Sequence, residues 1–145
     1  MRTGFGAARA AVALLTLAAI VAQLVHSVEQ AQVAGGSIPA LLLNFFSFFT
    51  IASNVGAVVV LAVGAILSFS HPGDDPVWFA GLRAAVVTYM ITTGAVYNLL
   101  LRNVSLPQGQ TVPWSNEVLH VIAPICMLLD WLFAPGRAPL RRRVV

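Results

Sequence analysis

Four long apolar runs occupy most of this chain. A helix that crosses a bilayer needs about 20 predominantly apolar residues. The runs cover residues of about 7–28, 38–69, 78–101 and 116–133. EQAQVAGG, HPGDDP and NVSLPQGQTVP separate them, rich in the polar, Gly and Pro residues that turn a chain. Only 9% of the residues are charged and 59% are hydrophobic, against about 25% charged in a soluble domain. Water cannot solvate such a surface. The runs are also far longer than the roughly 9–11 residues of a barrel strand. The expected fold is all-α: one transmembrane domain over residues 1–145, a four-helix bundle of a multi-pass cell-membrane protein.

The first run exceeds the roughly 7–15 apolar residues of a signal-peptide core, and no A-x-A site follows it. It reads as a span. The second is longer than one crossing requires, which suggests a single helix projecting beyond the bilayer. All eight basic residues are arginine. With the N-terminus in the cytoplasm, Arg2, Arg9, Arg83, Arg137, Arg141, Arg142 and Arg143 lie inside and only Arg102 faces out. That asymmetry puts both termini in the cytoplasm. No Lys/Arg patch is interleaved with aromatic residues, so nucleic acid is not an expected partner. Membrane lipids are, and a homo-oligomer is compatible with the chain. Cys126 has no second cysteine to pair with and reads as a packed core thiol.

The stretch NFFSFFTIASN, residues 44–54, sets hydrogen-bonding side chains inside hydrocarbon. On a continuous helix advancing about 100° per residue, Asn44, Ser47, Thr50 and Asn54 share one arc, with Ser53 just off it. Lipid cannot face that arc, because an unsatisfied polar group there costs several kcal/mol. The arc either bonds to neighbouring helices or lines an internal cavity. The fourth span repeats the theme. In NEVLHVIAPICMLLDWLF, Asn116, Glu117, His120, Pro124, Met127 and Trp131 fall on one stripe. Glu117 is placed to orient the His120 imidazole, and Pro124 withholds an N–H from the His120 carbonyl. Asp130, beside Trp131, reads as an interface anchor.

In the third span the polar residues Thr88, Tyr89, Thr92, Thr93, Tyr97 and Asn98 spread around the helix, which suggests neighbours on most sides. Arg102 is placed to snorkel, to attract an anionic head group or to pair with Glu117. RAAV at residues 9–12 and 83–86 reads as coincidence in an alanine-rich chain. Asn103-Val104-Ser105 matches the short glycosylation pattern. No soluble hydrolase, zinc-protease or phosphate-loop motif occurs. His26, His71 and His120 lack metal-ligand spacing, so no metal and no cofactor are expected. His26 with His120 is the one pair compatible with an axially ligated haem.

NFFSFFTIASN, VTYMITTGAVYNLLL and NEVLHVIAPICMLLDWLF together resemble the bacterial branch of the androgen-induced/androgen-dependent integral membrane protein family. Its animal members are threonine hydrolases of fatty acid esters of hydroxy fatty acids, built on a six-helix bundle. The resemblance covers residues of about 40–135 and is to a member shortened at its C-terminus. It implies a catalytic pair, Thr50 after the aromatic run and His120 ahead of the proline. Asn54 and Ser47 are then the first oxyanion candidates, with Asn44 and Glu117 as further substrate-binding candidates. The competing reading is a non-catalytic scaffold or binding subunit whose polar residues only pack helices.

Overall fold

A computed structural model describes residues 1–70, 73–104 and 110–136. Every regular element among them is helical. Helix α1 is Arg2–Val33, α2 is Ile38–Ser47 and α3 is Phe49–Ser70. Helix α4, Val77–Val96, runs on through a π-helical turn, Tyr97–Leu101. The last span is composite: α5, Pro113–Glu117, a π turn at Val118–Ile122, and α6, Ala123–Phe133. Four helical stretches are long and apolar enough to cross a membrane: Arg2–Val33, Phe49–Ser70, Val77–Leu101 and Pro113–Phe133. This is the architecture of a multi-pass membrane protein.

The overlong second run is not one helix. Phe48 adopts an extended conformation (φ −65°, ψ 129°) and divides it. The Ser47 hydroxyl donates to the Leu43 carbonyl at 2.6 Å, a back-bond of the kind that bends helices. Helix α2 has 10 residues, about 15 Å of rise, too little to cross. It buries Phe45 and turns Leu43 outward.

Small side chains let the spans approach closely. Ala13 on α1, Ala57 on α3 and Ala123 on α6 meet in one core with Phe79, Met90 and Met127. A second cluster joins Ala19, Ile20, Phe45, Ile51, Val118 and Leu119. At Gly94, a Cβ would lie 3.0 Å from the Cβ of Pro124, so the absence of that side chain lets α4 and α6 approach closely at this point.

Arg9 and Arg83, which the expected topology places on the cytoplasmic side, are buried. They are 3% and 1% exposed and converge on Asp130, itself 7% exposed. Arg9 Nε donates to Asp130 Oδ1 at 2.7 Å, while its Nη1 reaches the Gly64 carbonyl and the Ser68 hydroxyl. Arg83 Nη2 pairs with Asp130 Oδ2 at 2.7 Å and also donates to the Asp130 carbonyl. Asp75 extends the network to Arg2 at 3.0 Å. Asp130 is thus a buried counterion rather than an interface anchor. The two RAAV arginines, in separate spans, share its carboxylate. Three of the arginines behind the expected topology, Arg2, Arg9 and Arg83, are paired in this network, and Arg137, Arg141, Arg142 and Arg143 lie outside the described residues.

The third span is not enclosed on most sides. Thr88, Tyr89 and Thr92 are exposed, because the two threonine hydroxyls donate to carbonyls of their own helix, Ala84 and Thr88. A hydroxyl satisfied in this way needs no neighbouring helix. Cys126 is half-buried rather than fully packed. His71 and Ser105 lie outside the described residues.

Candidate functional site

Thr50 is the second residue of α3, and His120 lies in the π turn of the last span. Their different distances from the starts of their runs would place them at different depths if both runs began at one level. They do not. The Ser115 hydroxyl donates to the Ala19 carbonyl at 2.7 Å, and the Val112 N–H donates to Gln23 Oε1 at 3.0 Å. The last span therefore starts beside the middle of α1. Helix α1 continues past Gln23 to Val33, about 15 Å further, and α2 occupies that extra height. Thr50 and His120 consequently lie level, with Thr50 Oγ1 3.3 Å from His120 Nε2.

The imidazole is held on three sides. Its Nδ1 lies 2.9 Å from the Asn116 carbonyl. A carbonyl only accepts, so Nδ1 carries the proton and Nε2 presents its lone pair to the Thr50 hydroxyl. Tyr97 stacks on the ring, with centroids 4.0 Å apart and planes inclined by 26°. The Asn116 amide in turn donates to the Tyr97 hydroxyl.

Pro124 has no N–H, so it cannot donate to the carbonyls one ordinary turn and one π turn before it, those of His120 and Leu119. Asparagine amides reach both. Asn98 Nδ2 donates to the Gly94 carbonyl at 2.8 Å and to the His120 carbonyl at 3.1 Å. Asn54 Nδ2 donates to the Thr50 carbonyl at 2.8 Å and to the Leu119 carbonyl at 3.1 Å. Each asparagine thus ties its own helix to the segment that carries the histidine, and Asn54 does so from the threonine itself. Ser53 adds a hydroxyl pair with Thr93 at 2.8 Å.

The other sequence candidates fall elsewhere. With both its amide hydrogens engaged, Asn54 has none left for an oxyanion. The break at Phe48 rotates Asn44 and Ser47 off the arc, and both are exposed. Glu117 does not touch the imidazole. It pairs with Arg102 at 2.7 Å, and Arg102 also donates to Asn98 Oδ1 at 2.5 Å. Tyr97, Asn98 and Asn116 were legible as polar residues in apolar spans. Only the proline-created deficit of donors hinted at what Asn98 does.

A cavity of about 420 Å³ opens beside the pair, with Thr50, Tyr97, Asn116 and His120 in its wall, together with Phe45 from α2 and Phe48 from the α2–α3 break itself. Such a volume lies within the roughly 300–1,000 Å³ typical of small-molecule sites. Among the described residues, no group of three or more His, Cys, Asp or Glu side chains is placed to hold a metal ion. No protein-family model matches the chain, and neither the curated proteins nor the solved structures contain a match to it.

Proposed function

We propose that this multi-pass protein is a lipid ester hydrolase of the cell membrane, with Thr50 as nucleophile and His120 as general base and then acid. The observation that carries the reading is the 3.3 Å approach of the Thr50 hydroxyl to an imidazole nitrogen whose tautomer leaves it free to accept. A threonine hydroxyl is a weak nucleophile until a base removes its proton, and imidazole does this near neutral pH. As Thr50 Oγ1 bonds to the ester carbonyl carbon, its proton passes to Nε2. Collapse of the tetrahedral intermediate breaks the bond to the alcohol oxygen, which takes that proton. His120 then deprotonates a water whose oxygen attacks the threonyl ester. The acid leaves, and the proton returns to Thr50.

The developing oxyanion needs donors already in place. Thr50 stands in the first turn of a 22-residue helix, where backbone N–H groups lack intrahelical acceptors and the helix dipole favours negative charge. These amides take the role first considered for Asn54 and Ser47. The family resemblance in the sequence is part of the same proposal. The test is labelling by a fluorophosphonate probe in detergent. Wild type should label and Thr50→Ala should not, and equal labelling of both removes Thr50 from the mechanism.

The scaffold reading is favoured by a different observation. The Ser53–Thr93 and Ser115–Ala19 bonds join helices without touching the cavity-side imidazole. Under that reading Thr50→Ala changes packing slightly and abolishes no chemistry.

A further inference from the structure

We propose, building on the hydrolase reading above, that Tyr97 is a further catalytic residue of the site. Its phenol donates a hydrogen bond to the ester carbonyl oxygen as that oxygen becomes negative. Tyr97 stacks on the His120 imidazole with ring centroids 4.0 Å apart, and it walls the same cavity as Thr50 and His120. A phenol has one proton to give and lone pairs with which to accept. The Asn116 amide takes up a lone pair, and among the described residues none accepts the proton. That proton is available to a substrate in the cavity.

Other donors around the imidazole are spent. Asn54 and Asn98 each give both amide hydrogens to backbone carbonyls, and the Ser53 hydroxyl is shared between Thr93 and the Thr50 carbonyl. The phenol is also fixed before any substrate arrives. Tyr97 opens the π turn Tyr97–Leu101, and His120 lies in the π turn Val118–Ile122. Such turns are rare and occur mostly at functional sites. Asn98, next in sequence to Tyr97, ties the first turn to the His120 carbonyl at 3.1 Å. The stack then fixes the ring, and the Asn116 bond fixes its oxygen. A donor set in advance needs no reorganisation as charge develops, which is the condition for stabilising an oxyanion. The first-turn amides of α3 come from Thr50's own helix and the phenol from the third span, so one oxygen can accept from both. Tyr97 transfers no proton. The proton of Thr50 still passes to His120.

4-Methylumbelliferyl oleate and its thionoester differ only in the carbonyl atom, and sulfur is the weaker acceptor. Both are presented in neutral micelles to wild type, Thr50→Ala, Tyr97→Phe and Asn116→Ala proteins. Tyr97→Phe keeps the stacked ring and should lower kcat on the oxoester about 10²–10³-fold, with little change in KM. Its loss on the thionoester should be smaller, so the ratio of oxoester to thionoester rates falls. Because the ratio is taken within one protein, a change in folded fraction cancels. Asn116→Ala removes the same Asn116–Tyr97 bond, leaves the phenol in place and should cost much less. An oxoester rate equal to wild type in Tyr97→Phe, or a rate ratio that it leaves unmoved, overturns the role of the phenol. Equal losses in Tyr97→Phe and Asn116→Ala do the same, because they reduce Tyr97 to a partner of Asn116. In each of these cases cleavage that Thr50→Ala abolishes leaves the hydrolase reading standing. No Thr50-dependent cleavage of either ester overturns the hydrolase reading and the inference with it.

Discussion

Asn98 and Pro124 are complementary: the amide of one supplies, at 3.1 Å, the hydrogen bond to the His120 carbonyl that the other cannot make. Asn98→Ala leaves that carbonyl short of a donor, a loss of about 1–3 kcal/mol for a buried group. Pro124→Ala restores a backbone N–H one turn downstream. Asn98→Ala should therefore destabilise the wild-type protein more than the Pro124→Ala variant, read as thermal unfolding of the four proteins in a double-mutant cycle. An equal shift in both backgrounds would break the link between the two residues.

Thr50 and His120 are tested by ester hydrolysis. His120→Ala should lower kcat about 10²–10⁴-fold, the usual contribution of a positioned base. Thr50→Ser keeps a hydroxyl and should retain measurable turnover, whereas Thr50→Val keeps the shape and should not. Turnover by Thr50→Val at the wild-type rate would move the nucleophile elsewhere.

Asp130 neutralises two arginines that are 3% and 1% exposed. Asp130→Ala leaves Arg9 without a carboxylate and Arg83 with Asp75 alone at 3.9 Å, and should cost about 3–5 kcal/mol. Replacing the trio with apolar residues, as Arg9→Met, Arg83→Met and Asp130→Leu together, should recover most of that loss. Denaturation in detergent gives both numbers. A single variant as stable as wild type would mean that the network contributes nothing to the fold.

Asn44 and Ser47 lie on the exposed side of α2, before the break. Asn44→Ala and Ser47→Ala should change stability by no more than about 0.5 kcal/mol, as is usual for surface positions, and should leave probe labelling intact. Loss of labelling in either would restore the continuous polar arc that a single unbroken helix implies.

Gly94→Ala forces a methyl to within 3.0 Å of the Pro124 Cβ. Overpacking of this kind costs about 1–3 kcal/mol. Because the contact lies one turn from His120, kcat should fall more than KM changes. Kinetics on the purified variant separate the two parameters.

Four crossings, their helical character and the positions of most turns were written in the sequence. Hydrophobicity accumulates residue by residue along a run, so length and composition reveal it without knowledge of neighbours. Thr50 and His120 were named there through a family likeness. The turn deficit at Pro124 was legible because a proline withholds its N–H in any context. The fate of each polar side chain was not. A serine or threonine in a helix bonds only a carbonyl of its own helix four residues back, as Ser47 and Thr88 do, or reaches another helix as well, as Ser53 does, and both choices look alike in one dimension. The break at Phe48 has no glycine or proline to announce it. Arg9 and Asp130 are separated by 121 positions, and only folding shows that an arginine read as a cytoplasmic-side charge is the partner of an aspartate read as an interface anchor. The three-dimensional packing decided which hydroxyl meets the imidazole, because depth depends on where each span starts against α1.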